Sequence, residues 1–108
     1  NHYRDFTYID DAIKNILALL KKNFKKKHEI FNICSNNPVS LKKIIKQINN
    51  ELGKPKIIKR KMQQADVYKT HGSNLKLIKM TKIKKFTDIK AGTKNVIDWA
   101  KKNGKYLK

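Results

Sequence analysis

A chain of 108 residues with 39% apolar content makes one domain with a modest core, burying roughly two-thirds of its unfolded surface. Its longest unbroken apolar run, Ile16 to Leu20, is far short of the ~20 residues that cross a bilayer, and the first ten residues do not read as a signal peptide. The net charge of +19 is almost wholly lysine, Arg4 and Arg60 being the only arginines, and it fits either a surface for nucleic acid or a lysine-biased composition on ordinary solvated faces. Lysines lie on nearly every segment without a recognition motif, which favours the second reading and leaves a basic nucleic-acid-binding module as the weaker one. The single cysteine, Cys34, forms no internal disulfide, so a reducing cytoplasm is expected. The chain opens without methionine and with almost no polar lead-in, and so reads as one entered in the middle.

In chain order, Phe6 to Ile9 is a short β candidate with Phe6 and Tyr8 on one side. Asp10 or Asp11 is expected to cap a helix whose apolar stripe is Ile13, Ile16, Leu17 and Leu20. Glu29 to Cys34 reads as a second strand, followed by a turn at Asn36-Asn37-Pro38. Ser40 should cap a helix carrying Leu41, Ile44, Ile45, Ile48 and Leu52, ended by Gly53 with Pro55 beyond it. Ile57-Ile58 is a third short strand. A polar loop from Lys61 to Gly72 leads to a brief helix over Asn74 to Met80 with Ser73 as cap. The last helix starts near Thr87 or Asp88, carries Ile89, Val96, Ile97 and Trp99, and ends at Asn103-Gly104. The expected class is α+β, about four helices with two or three short strands.

Chemistry-bearing constellations are scarce. His2, His28 and His71 lack zinc-ligand spacing with any cysteine or carboxylate, so no metal site is expected. Cys34 reads as a small buried apolar group rather than a nucleophile. Gly53, Gly72, Gly92 and Gly104 are isolated and build no phosphate loop.

Several stretches in register carry a family likeness. Arg4-Asp5-Phe6-Thr7-Tyr8-Ile9-Asp10-Asp11 resembles a characteristic segment of extended short-chain dehydrogenases/reductases of the NAD-dependent epimerase/dehydratase group, closest to UDP-glucuronate 4-epimerases. Phe31-Asn32-Ile33 with Asn36-Asn37-Pro38-Val39 is similar to the family's "YNIG(N)…PV" strand and turn. Met62-Gln63-Gln64-Ala65-Asp66-Val67 is similar to "MQPGDV", and Thr87, Gly92 and Ile97-Asp98-Trp99 to its final helix.

The resemblance implies that residues 1–108 are the C-terminal nucleotide-sugar-binding part of such an enzyme, anchoring the UDP of a UDP-sugar, with UDP-glucuronate as the expected substrate. It implies that Arg4 contacts the diphosphate, that Asp66 accepts hydrogen bonds from the ribose hydroxyls, and that Gln63 stands near the phosphates. Read without the family, Arg4 would be a surface ion pair with Asp5 or Asp10, and Asp66 a turn residue. NAD belongs to the N-terminal Rossmann half of the full-length enzyme, and none is expected on this chain. No tyrosine has a lysine four positions on, so catalytic residues are expected to be absent and the chain inactive alone. The expected partners are the UDP-sugar, the Rossmann half and, through an exposed apolar surface, a second copy of the chain. Departures from the family include Cys34 for a glycine, Gln64 and Ala65 for Pro-Gly, and Lys82 and Lys85 for a glycine and a proline. They keep open a degenerate remnant that folds but has lost its ligand.

Overall fold

The computed structural model describes residues 2–53, 56–58, 60–61 and 63–104; Pro55 and Met62 lie outside them. Its elements in order are β1 (Tyr3–Arg4), α1 (Ile9–Leu20), β2 (Val39–Ser40), α2 (Leu41–Leu52), α3 (Leu75–Thr81) and α4 (Ile89–Asn103). Four helices on a two-stranded sheet make the expected α+β class. β1 is paired on both edges. β2 runs antiparallel to it, with Tyr3 opposite Ser40 and Arg4 opposite Val39. On the other edge Tyr3 donates its N–H to the Tyr68 carbonyl at 2.8 Å and accepts from the Thr70 N–H at 3.1 Å.

The strand therefore lies three residues upstream of the expected Phe6–Ile9. Backbone pairing stops at Arg4: the Asp5 N–H goes to the Thr70 hydroxyl at 3.2 Å, and Ile9 already opens a helix. Two further expected strands, Glu29 to Cys34 and Ile57-Ile58, have no ladder partner among the described residues. Side chains tether the first of them instead. Lys76 reaches the Glu29 carboxylate at 2.6 Å and the Ile30 carbonyl at 2.8 Å, and its ammonium sits 4.6 Å from the centre of the Phe31 ring. That ammonium also holds the Glu29 carboxyl below its ordinary range.

The helix ends follow local chemistry. The Ser40 hydroxyl accepts from the Lys43 N–H at 3.3 Å, and the Asp88 carboxylate accepts from Lys90 and Ala91 at 2.7 and 3.3 Å. Gly53 ends α2 at φ +85°, a conformation that favours glycine. Two expected caps differ. Asp10 and Asp11 lie inside the first turn of α1, with Tyr8 at the cap position, because the Asp11 carboxylate accepts from the Thr87 N–H at 2.6 Å and ties α1 to the start of α4. Asn74, not Ser73, precedes α3, and its side chain turns inward to the Cys34 carbonyl at 2.9 Å.

The helices pack in two pairs, α1 with α3 and α2 with α4. The α1–α3 seam is polar: Asn15 and Thr81 are both buried, and the Thr81 hydroxyl lies 3.2 Å from Asn15 Oδ1. With Asn15 inward, helical periodicity turns the apolar stripe of α1 away from the domain. Ile13, Ile16, Leu17 and Leu20 are 48, 46, 53 and 76% exposed, and Trp99 on α4 is 54% exposed. Only Val39, Leu77 and Ile97 form a buried apolar core among the described residues. The radius of gyration, 16.8 Å, exceeds the roughly 13 Å of a compact chain of this length. The fold positions its segments without burying its own best apolar face.

Asp5 joins the pieces. Its Oδ1 accepts from the Ser35 hydroxyl at 2.6 Å and the Asn37 N–H at 3.2 Å, and its Oδ2 from the N–H groups of Asn36 at 3.1 Å and Gly72 at 3.2 Å. Burial opposes ionisation of this carboxyl, but the bonds from Ser35, Gly72, Asn37 and Asn36 outweigh it and hold it below its ordinary value. Around this knot, Gly72 makes room for Cys34: a Cβ at 72 would stand 2.7 Å from the thiol sulfur. Burial first, then the Asp5 charge, push the Cys34 thiol up, so it stays protonated and packs as a small group.

Two outcomes are expected. Because its folded pKa is depressed, Asp5 stabilises the fold above the unfolded value near 3.8, and that contribution is lost as pH falls through the folded pKa. Asp5→Asn should cost about 1–3 kcal/mol at neutral pH and flatten the acid limb of stability, checked by urea melts at several pH values. Lys82, at the C-cap of α3, has φ +63° with its N–H bonded to the Ile78 carbonyl, so it occupies a left-handed position that favours glycine. Lys82→Gly should stabilise by about 1 kcal/mol and raise the melting temperature; an unchanged or lower one would contradict this.

Candidate functional site

The sequence reading singled out Arg4, Gln63 and Asp66, and the fold brings two of them into contact. Arg4 Nη2 lies 2.5 Å from Asp66 Oδ1 across 62 residues of sequence, and Arg4 Nη1 donates to the Tyr3 carbonyl at 2.9 Å. The contact exists because the pairing of Tyr3 with Tyr68 and Thr70 draws the 66–70 segment along β1. The partner of Arg4 is thus Asp66, not Asp5 or Asp10 as the family-free reading of an ion pair had it. Asp5 is committed to the loop knot, and Asp10 sits on α1.

Gln63 opens the turn that presents Asp66. Its carbonyl accepts from the Asp66 N–H at 3.0 Å, while Asp66 Oδ1 also accepts from the Val67 N–H at 3.0 Å. The Gln63 side chain is exposed. This turn closes without the Pro-Gly of the family pattern. Among the described residues, non-glycine backbone with positive φ is confined to Asn36 and Lys82, so neither Gln64 nor Ala65 occupies the left-handed region.

With side chains 24% and 41% exposed, the Arg4–Asp66 pair contributes at most about 1 kcal/mol to stability. It opens cheaply. A ligand bringing an anion to the guanidinium and hydroxyl donors to the carboxylate replaces both halves of the pair at small expense. Planar guanidinium and ionised carboxylate are suited to those two jobs. Two aromatic residues stand beside the pair that the sequence reading had given no role. The His2 and Tyr68 rings stack at 5.3 Å between centroids with 8° between their planes. The only sequence signal for this is the two-residue spacing of His2, just before β1, and Arg4 within it.

A cleft of about 330 Å³ lies elsewhere, lined among others by Phe6, Asn36, Asn74, Lys84 and Asp88, and none of Arg4, Gln63 or Asp66 borders it. No group of three His, Cys, Asp or Glu side chains suited to a metal occurs among the described residues. The turn from β1 into α1 has no glycine, and the first turn of α1 carries Asp10 and Asp11, whose charge is complementary to the helix dipole there.

No family model matches the chain. Individual relatives do. An uncharacterized protein of Methanocaldococcus jannaschii is 36% identical over 99% of this chain and 32% of its own length. The UDP-glucuronate 4-epimerase of Thermodesulfobacterium geofontis is 33% identical over 97% of this chain and 32% of its own. Among solved structures, MoeE5 in complex with UDP-glucuronic acid and NAD superposes with a TM-score of 0.84 over 91% of this chain and 33% of that one, at 17% identity. The chain spans about a third of the length of the relatives it matches. The segments that carried the resemblance occur in the same order on a fold shared with MoeE5, and over nearly its whole length the chain is similar to about a third, the C-terminal part, of proteins named as nucleotide-sugar epimerases.

Proposed function

We propose that this chain anchors the nucleotide end of a UDP-sugar, UDP-glucuronate being the favoured one, for an epimerase whose redox chemistry resides on another body. The observation that carries the reading is the Arg4–Asp66 contact: the two groups that the family resemblance assigns to diphosphate and ribose lie side by side, Arg4 at the end of a paired strand and Asp66 beside it in the turn from Gln63. Arg4 takes the diphosphate, Asp66 turns from Arg4 to the ribose hydroxyls, and Gln63 adds a polar contact at the phosphates. An anchor of this kind spends binding energy away from the reacting sugar carbon, which leaves the sugar free to turn between its two faces. The closed Gln63–Asp66 turn supports a working site over a degenerate remnant.

The partner in this reading is a Rossmann-type body that binds NAD and covers the exposed stripe of α1. Five apolar side chains, Ile9 with Ile13, Ile16, Leu17 and Leu20, present a continuous surface of the kind that marks an interface. No described helix is long and apolar enough to cross a membrane. A cytoplasmic setting completes the proposal, since the lone cysteine suits reducing surroundings and nucleotide sugars are made there.

Titration calorimetry with UDP-glucuronate and with UDP tests the anchor. Both should bind, and Arg4→Ala and Asp66→Ala should each weaken binding about tenfold or more, as expected for loss of a charge-assisted contact. Absence of binding at millimolar ligand would sink the reading. The uncovered stripe should also make the chain self-associate with rising concentration and bind a hydrophobic dye, and Leu17→Lys should reduce both; light scattering that shows a dye-free monomer at every concentration would count against an interface on α1.

A further inference from the structure

We infer that Tyr68, backed by His2, is the platform on which the nucleobase of the bound nucleotide stacks. The inference rests on the anchoring role of Arg4 and Asp66 and extends it to the one part of a nucleotide those residues leave unheld. Tyr68 is 68% exposed even though its ring lies nearly parallel to that of His2, 5.3 Å away between centroids. One face of the tyrosine is therefore backed and the other open to solvent. An exposed aromatic face with a rigid backing is what base stacking requires, since every base offers a π face and the ring need not be ordered on binding.

The placement suits a nucleotide. His2 immediately precedes β1 and Arg4 ends it, so the two flank Tyr3, about 7 Å apart where the backbone is extended. That is the order of separation at which a ribose holds its base and its 5′ phosphate. The partners follow the same order: Tyr68 lies with His2, and Asp66 with Arg4, both on one three-residue stretch fixed to β1 through the Tyr3–Tyr68 and Tyr3–Thr70 hydrogen bonds. Stack, carboxylate and guanidinium thus form one contiguous surface whose sequence of chemistries is base, sugar, phosphate. His2 has a second feature that a solvated surface histidine would lack. Its Nε2 is buried without a hydrogen-bond partner, so the ring is held by packing against the tyrosine rather than by a polar contact of that nitrogen. Stacking of this kind tolerates different bases, so recognition of uracil by hydrogen bonding is not assigned to Tyr68.

The test compares UDP with ribose 5-phosphate, which keeps the sugar and phosphate and lacks the base, by titration and by proton NMR of the uracil ring. Wild type should bind UDP with the uracil H5 and H6 signals moved upfield by the tyrosine ring current. Tyr68→Ala should weaken UDP about tenfold, abolish that upfield shift and leave ribose 5-phosphate affinity unchanged, while Tyr68→Phe should behave as wild type. Arg4→Ala should weaken both ligands. If Tyr68→Ala binds UDP as tightly as wild type, or loses both ligands equally, the platform is overturned and the Arg4–Asp66 anchor stands. A wild-type chain that binds neither ligand overturns both.

Discussion

The carboxylate of Asp5 is the point at which otherwise separate pieces of this small fold meet. It leaves β1 one residue after the last paired position and gathers N–H groups from the Asn36-Asn37 turn and from Gly72, together with the Ser35 hydroxyl. Those groups come from segments some 30 and 67 residues away in sequence. Turn amides pointing at one ionised acceptor would otherwise stand in a part-buried site without partners, which is costlier than the bonds are individually worth. The thiol of Cys34, the missing Cβ of Gly72 and the Asn74 side chain then pack around the knot. Where the family resemblance expects a glycine at 34, space and not backbone freedom is at issue, because Cys34 does not take up a positive φ and Gly72 supplies the room.

What the knot holds together is a scaffold with little apolar interior. Polar contacts perform work that a larger core would do by burial: Asn15 against Thr81 between α1 and α3, Asp11 to the start of α4, and Lys76 across the 29–31 segment. The strongest apolar face of the molecule, on α1, looks outward. That outward apolar face is the one the proposed Rossmann-type partner would cover. The segment from Glu29 to Cys34 has strand-like residues, yet its backbone has no ladder among the described residues.

The candidate site is a by-product of strand pairing at its other edge. Because the 66–70 segment is drawn along β1, the residues on either side of Tyr3 acquire neighbours from it: His2, just before the strand, gains Tyr68, and Arg4 gains Asp66. The ion pair is exposed enough to be exchanged for a ligand, whereas Asp5, one residue further on, has its carboxylate bound to four donors and is not free for that role. Adjacent residues of one short motif thus divide between the proposed binding role and construction.

Short-range chemistry was legible in the sequence: the Ser40 cap, the Gly53 stop and the four helices, the last starting near Asp88, follow from interactions within a few residues, while the position of Lys82 stood out only against the family's glycine. The likeness to nucleotide-sugar epimerases came through resemblance, and it alone singled out Arg4, Gln63 and Asp66; without it Arg4 pointed to Asp5 or Asp10, whereas the fold pairs it with Asp66. Tertiary structure decided what depends on distant neighbours. Phe6 to Ile9, Glu29 to Cys34 and Ile57-Ile58 have the residues of strands, yet a strand exists only where another backbone supplies its hydrogen bonds, and for these segments none does among the described residues. Which acid Arg4 pairs with, what Asp5 holds, and which way the stripe of α1 faces are likewise set by residues tens of positions away, and periodicity along one helix carries no information about what lies across from it.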